Sequence, residues 1–255
     1  MPRHMLTDSN WSKLKPILLQ QGIHDKASLR LTVEGILYRM RTGCQWRDLP
    51  GAFGSWNTIY KRFNAWSAAG KLMTLFSTLV EDPDIEWLFI DGSYVKAHQD
   101  STGASTGEAE AIGKSRAGNT SKIHLAVDAY GLPNAFRVTG GEVHDSTEAH
   151  ALIDDLPSGD ALVADKGHDS ESIREQVEAR GMKAVIPRKR NSKKGNANLD
   201  RGLYGYRHLV ENAFARLKPY RAIATRYDKL KRNYESMVAL ACGFLWLPMR
   251  NVNRP

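Results

Sequence analysis

Cysteine is scarce in this chain: Cys44 and Cys242 are the only two in 255 residues, far apart and in no ligand-like spacing. That excludes a disulfide framework and a cysteine-based zinc site, and it fits a reduced, cytoplasmic setting. Long apolar runs are missing too. The longest, Met237 to Leu247, contains Ala, Cys and Gly and falls short of the roughly 20 apolar residues that a membrane span needs. It reads as a buried C-terminal helix, and no membrane partner is expected. No apolar signal region follows the charged start, so nothing points to export. The third scarcity, of acid, is local. Between Arg180 and Arg232, 16 Lys/Arg stand against 3 Asp/Glu, in a chain of net charge +8. Over some fifty residues, that imbalance favours a polyanion partner over a merely solvated face.

The texture of the chain changes near residue 83. Before it, Trp11, Leu14 and Leu18 recur at helical spacing behind Thr7 and Asp8, and Val33, Ile36, Leu37 and Met40 do so ahead of Gly43. A Gly/Pro-rich loop to Gly54 leads to Ser55 as an N-cap. The next helix turns Ile59, Phe63 and Trp66 inward and Asn57, Thr58, Lys61 and Arg62 outward. Residues 1–82 therefore read as a small helix-turn-helix-like domain that could contact DNA.

Residues 83–255 read as a second domain, of α/β class. Strands are expected at Trp87 to Ile90, from Lys122 to Asp128, and from Ala135 to Val138 after the turn AYGLP. Helix Ser146 to Leu156, strand Ala161 to Ala164, helix Ser170 to Arg180, strand Lys183 to Ile186 and helix Arg201 to Leu217 follow. A three-stranded meander followed by crossover units is the order of a ribonuclease H-like domain, with a mixed five-stranded sheet and flanking helices. Residues 98–120, rich in Gly, Ser, Thr and Ala, read as a mobile loop. The GKS run at Gly113 to Ser115 lacks phosphate-loop spacing, with five residues after Gly107 instead of four. No nucleotide cofactor is expected.

Two strands run straight into an acid, LFIDGS at Asp91 and LVADKG at Asp165. If the strands are parallel neighbours, both acids emerge at the same sheet edge. Asp128 ends the antiparallel middle strand and reads as a turn residue. Asp145 could lie on the productive edge, but its place at a helix start favours capping. At about 100° per residue, Tyr204, Arg207, Glu211 and Lys218 share one stripe of the last helix, while Leu209, Val210, Ala213, Phe214 and Leu217 occupy another face that can pack on the sheet. A plain i,i+4 ion pair of Arg207 with Glu211 is the alternative reading of that stripe. Acids gathered at one point need a cation, and oxygen-only ligands suit Mg²⁺ or Mn²⁺. Asp91, Asp165 and Glu211 are the catalytic candidates, holding two such ions per site. Arg207 and Lys218 would contact phosphates, and Tyr204 would orient a DNA end.

Tyr204-x2-Arg207-x3-Glu211-x6-Lys218 resembles the Y-R-E-K signature of bacterial insertion-sequence transposases with a DDE site, in the superfamily numbered four and five. IDGSYVKAH, GKSRAGNTSKIHLAVDAYG and VADKGHDS are similar to that family's segments around the first two acids. LTDSNWSKLKPIL and GCQWRDLPGAFGSWNTIYKRFNAW resemble its N-terminal domain. The resemblance implies metal-dependent strand cleavage and strand transfer, with terminal inverted repeats and target DNA as partners and a homodimer or higher assembly on DNA. It also implies backbone contacts from Lys114, Arg116 and Lys122. A ribonuclease H-like nuclease without strand transfer, or a non-catalytic DNA-binding derivative, are the competing functions. His168 reads as a structural hydrogen-bonder.

Overall fold

Residues 2–103 and 110–248 are described by the computed structural model, and the helix signals at its N-terminal end act where the sequence sets them. Thr7 caps α1 (Asp8–Gln20), its hydroxyl accepting from Asn10 N at 3.1 Å. Helix α2 (Leu29–Thr42) stops at Gly43, which takes the left-handed conformation at φ 66° that a side chain would resist. Ser55 precedes α3 (Trp56–Ala68) but makes no side-chain cap, and α4 (Lys71–Leu79) follows. The apolar stripe expected on α3 is buried at Ile59 and Phe63, while Trp66 is only half-buried.

The strand region begins with β1 (Trp87–Ala97), which outruns its expected end at Asp91. It continues because β3 (Gly118–Val127) pairs with it from Phe89↔Val127 through Lys96↔Thr120. What stops at Asp91 is a different pairing. Between the two lies β2 (Gly113–Ser115), a short partner of the start of β3. The expected loop over 98–120 is therefore shorter. A turn at Gln99–Ser101 also narrows it, and residues 104–109, with Gly107, lie outside the described residues. The hairpin returns as β4 (Pro133–Gly140). Asp128 at its turn is fully buried and accepts from the Tyr130 and Leu132 amides at 3.0 and 2.8 Å, the work of a turn residue.

Helix α5 (Asp145–Asp154), β5 (Ala161–Ala164), α6 (Glu171–Ala179) and β6 (Lys183–Val185) complete the crossover units. The central order is β4-β3-β1-β5-β6, antiparallel on one side of β1 and parallel on the other. This is the ribonuclease H-like arrangement, with two short strands, β2 and Thr225–Arg226, added to the five expected. Leu88, Ile90, Leu162 and Ala164 pack against Leu152 and Ile153 of α5 and Ile173 and Val177 of α6. All four residues of β5 are buried, as a strand covered on both faces requires.

The helix expected from Arg201 to Leu217 is broken into α7 (Arg201–Gly205) and α8 (His208–Leu217). Tyr206, Arg207, Leu209 and Val210 amides all bond to the carbonyl three residues back, a tighter winding. Gly202 and Gly205 withdraw helix propensity just ahead of the break, and Tyr206 packs its ring on Trp87 at 5.4 Å. Helix α8 is fixed to the β3–β4 turn. Gly131 there has φ 70°, and a Cβ on it would meet Leu209 O at 3.2 Å, while Arg216 Nη2 donates to Gly131 O at 2.6 Å.

The chain ends with α9 (Arg221–Ala224) and α10 (Lys231–Trp246). By compactness one unit draws on Met1–Glu81, Ala97–Glu110 and Leu217–Pro255, and the other on Asp82–Lys96 and Ala111–Arg216. The first break between the units falls at Glu81/Asp82, and α9 and α10, C-terminal to the strand region, pack within the helical unit. The reason is apolar: α10 buries Tyr234, Met237, Val238, Ala241 and Cys242, and Gly243 admits Leu79 of α4 to within 2.8 Å of where a Cβ would stand. Among the described residues, no helix is long and apolar enough to cross a membrane. Inside the helical unit a charge pair is buried. Arg39, 4% exposed, donates from Nη1 and Nη2 to the two Asp228 oxygens at 2.8 and 3.2 Å. Arg39→Ala would leave Asp228 buried without its partner and is expected to cost about 3 kcal/mol or more. Joint replacement by Arg39→Met and Asp228→Leu should recover most of the loss, read by urea denaturation.

Candidate active site

The register of β1 against β5 decides where the first two acids stand. Their parallel pairing ends at Ile90↔Ala164. Asp91 and Asp165 are the next residue of each chain, so both leave the same sheet edge side by side. Beyond that point β1 continues alone with β3, at Asp91↔Leu125.

Each carboxylate is then fixed differently. Asp91 Oδ1 accepts from the Gly92 amide at 2.8 Å, and Oδ2 receives Arg207 Nη1 at 2.9 Å. Burial pushes its proton affinity up, against the pull of the Gly92 N–H and of Arg207, and the Asp165 charge adds to the rise. Asp165 caps the single turn Lys166–His168, accepting from Gly167 N at 2.8 Å. The His168 ring, 2% exposed, holds Nδ1 2.9 Å from the same oxygen. That hydrogen bond outweighs burial and brings Asp165 below the usual carboxylate range. Two like acids at one edge thus titrate apart.

Glu211 lies in the first turn of α8 and is half-exposed. Arg207 Nη2 donates to Glu211 Oε1, so the plain i,i+4 pair is present. It is extended, however, because the same guanidinium also holds Asp91. Tyr204 is half-buried on α7, its carbonyl accepting the Arg207 amide at 3.1 Å. Lys218 is exposed in the turn beyond α8, within the other compact unit. The break between α7 and α8 replaces the single straight stripe expected for these four residues. Among the described residues, no three His, Cys, Asp or Glu side chains are gathered as an ion's ligand set. The oxygen-only donors fit a hard divalent ion in kind, and the Arg207 guanidinium bonds both Asp91 and Glu211.

The basic candidates divide. Lys114 on β2 and Arg116 in the β2–β3 turn are exposed, and so are Asn57, Thr58 and Lys61 on α3. Arg62 is instead turned to α2, donating to Ser28 Oγ and Thr32 Oγ1. Lys122, expected as a phosphate contact, is 3% exposed and paired with Asp145 Oδ2 at 2.7 Å, its ammonium over the Tyr94 ring at 4.6 Å. Its buried ion pair takes it out of reach of a phosphate.

Asp145 is also corrected. The N-cap of α5 is His144, whose Nδ1 accepts from Ser146 N at 3.3 Å. Asp145 points to β3, where His124 Nδ1 lies 3.3 Å from Oδ1 and the far ring nitrogen reaches Thr139 Oγ1 at 2.8 Å. A Cβ at Gly92 would fall 2.1 Å from Asp145 Oδ1. The bare backbone beside Asp91 is what admits this carboxylate. Burial alone would raise its proton affinity, but the close His124 ring and the Lys122 hydrogen bond and charge carry it well below the usual range. The signal was available: Lys122 and His124 are two apart on a strand and share a face, and Gly92 follows Asp91.

Residues 82–246 match the family described as "Transposase DDE domain", and residues 6–76 match "Putative transposase of IS4/5 family". The chain belongs to the DDE transposases. A Brucella ovis relative, "Putative transposase for insertion sequence element IS6501", is 35% identical over 129 residues, 50% of this chain and 98% of that protein. A Burkholderia cepacia relative, "Putative transposase for insertion sequence element IS402", is 32% identical over 151 residues, 54% of this chain and 69% of that protein. A pre-cleavage Mos1 transpososome aligns with 88% of the transposase and 79% of that chain at 9% identity. Its TM-score is 0.29, too low to bear on the site. As a DDE transposase the protein cuts DNA and transfers strands at insertion-sequence ends, and its domain implies dependence on a divalent metal.

In the transposase, Asp145→Asn would strip the buried Lys122 of its counter-charge, at an expected cost of about 3 kcal/mol at pH 7. Because the folded carboxyl is lowered, its contribution is full above the ordinary aspartate pKa of about 3.9 and fades as pH falls below it. Urea midpoints of wild type and variant should therefore converge in acid.

Proposed function

We propose that Asp91, Asp165 and Glu211 are the catalytic triad of this transposase, acting with Mg²⁺ or Mn²⁺, two ions per site, on terminal inverted repeats and target DNA. The Ile90↔Ala164 register carries this reading, because it sets two of the three carboxylates at one sheet edge. Divalent ions held there would supply positive charge for attack by water or a 3′-hydroxyl and for the leaving oxygen. The chain's own residues do the rest. His168 and the Gly167 amide hold Asp165 ionised and oriented. The turn at Gly131 braces α8, so that Glu211 is presented from a fixed element. Arg207 and Lys218 meet phosphates, Tyr204 orients the DNA end, and Lys114 and Arg116 add backbone contacts.

The exposed Asn57, Thr58 and Lys61 of α3 form the end-reading face in this proposal. Arg62 is left out of it, since its bonds to Ser28 and Thr32 hold α3 to α2. The active form is a homodimer or higher assembly on DNA, and the working compartment is the cytoplasm.

Asp91→Asn, Asp165→Asn and Glu211→Gln should each lower Mg²⁺- or Mn²⁺-supported cleavage of end DNA by on the order of a thousandfold or more, with DNA binding retained. Wild-type cleavage by Asp165→Asn would refute the triad. A joining assay with donor ends and a target plasmid tests strand transfer in the same preparations. Asn57→Ala with Lys61→Ala should weaken binding of the element end by about 1 to 3 kcal/mol per lost base contact while sparing cleavage of saturating DNA. Unchanged end affinity in a gel-shift titration would remove α3 from recognition.

A further inference from the structure

Arg207 touches two of the three acids that the proposed triad requires, and it does so with one rigid group. Nη1 donates to Asp91 Oδ2 at 2.9 Å and Nη2 donates to Glu211 Oε1. A guanidinium keeps its charge throughout the working pH range, so this bridge does not open by losing a proton. Asp91 Oδ1 already accepts from the Gly92 amide, so the oxygen that Arg207 takes is the one left to an ion, and Arg207 takes Glu211 Oε1 as well. Guanidinium and divalent ion therefore exclude each other at those atoms.

The backbone sets the bridge in place. Arg207 sits in the tight turn between α7 and α8, four residues before Glu211, and its side chain is 23% exposed against an Asp91 that is 19% exposed. Asp165 contributes no atom to the bridge, since its Oδ1 is committed to Gly167 and His168. The result is a site in which Arg207 holds one oxygen each of Asp91 and Glu211, while one oxygen of Asp165 is held by Gly167 and His168.

We propose that Arg207 is a placeholder for the metal: it closes the DNA-free site against divalent ions and opens it when a DNA phosphate takes the guanidinium. This rests on Asp91, Asp165 and Glu211 being the metal site. A phosphate offers the guanidinium the same paired oxygens as the two carboxylates. A phosphate's capture of Arg207 frees Asp91 Oδ2 and Glu211 Oε1 in one movement. Ion affinity in the absence of DNA is then reduced by the fraction of molecules that are open, and DNA and metal must each strengthen binding of the other by the same factor. Metal-dependent chemistry would be confined to protein already holding DNA.

The test is Mn²⁺ binding followed by electron paramagnetic resonance on the full chain, with wild type, Arg207→Gln and Asp91→Asn. Without DNA, Arg207→Gln should bind Mn²⁺ about tenfold more tightly than wild type, the factor expected when about a tenth of the wild-type molecules are open. Adding a terminal-repeat duplex taken from the DNA flanking the gene should tighten wild type by a similar factor and leave Arg207→Gln unchanged. The duplex's own Mn²⁺ binding is subtracted using Asp91→Asn. Arg207→Lys keeps the charge but cannot bridge both acids, and should fall between; it guards against a Gln variant that folds poorly. Equal or weaker Mn²⁺ binding by both Arg207 variants, with binding lost in Asp91→Asn, overturns the placeholder and leaves the metal site standing. Unaltered binding in Asp91→Asn overturns the metal site itself.

Discussion

Repulsion between two carboxylates at adjacent strand ends is the constraint around which the catalytic unit is built. The parallel register of β1 and β5 gives Asp91 and Asp165 no choice of position, and water is partly excluded from both. Unrelieved, two charges so placed would drive one acid to bind a proton. The fold answers by separating their environments. A histidine and two amides divide between them, and the Arg207 guanidinium takes the acid that is buried more deeply.

The same logic extends one layer outward. Lys122 and His124 on β3 meet Asp145 from α5 beside Gly92, so a second acid near the edge is held ionised by its own partners and not by sharing the first pair's cation. In the helical unit, Arg39 and Asp228 form a closed pair, and Arg226, fully buried, spends its donors on the Asp228 and Lys229 carbonyls. Part of the positive charge that marks the chain as a DNA-acting protein is thus structural. The overall excess of basic residues overstates the surface available to a phosphate, and Lys122 and Arg62 show by how specific a route individual cations are withdrawn.

Legibility in the sequence followed the range of the interactions. Strand β5 and the ends of α6 came out within a residue or two, because period and punctuation are local properties of the chain. Asp91 and Asp165 could be singled out for the same reason, each being the first acid after an apolar strand. The continuation of β1 to Ala97 was not readable, since it depends on β3 supplying partners 24 to 34 residues away along the chain. The split of the last helix was half readable: Gly202 and Gly205 weaken it, but the packing of Tyr206 against Trp87 comes from another element. Asp145 illustrates the limit best. Its position at a helix start suggests a cap, and only the face shared by Lys122 and His124 turns it inward.

The sequence by itself determined the kind of chemistry and the candidates for it: acids after strands, a Glu four residues from an Arg, basic surroundings, and the motif spacing that marks the family. Those are matters of residue type and short-range order, which the chain carries explicitly. Tertiary structure decided how the charges are paired. Whether Arg207 faces a phosphate or two carboxylates, and whether Lys122 is a contact or a buried counter-ion, depends on which elements pack together. Coulombic partners are chosen by distance in space, and distance in space is what a linear pattern leaves open.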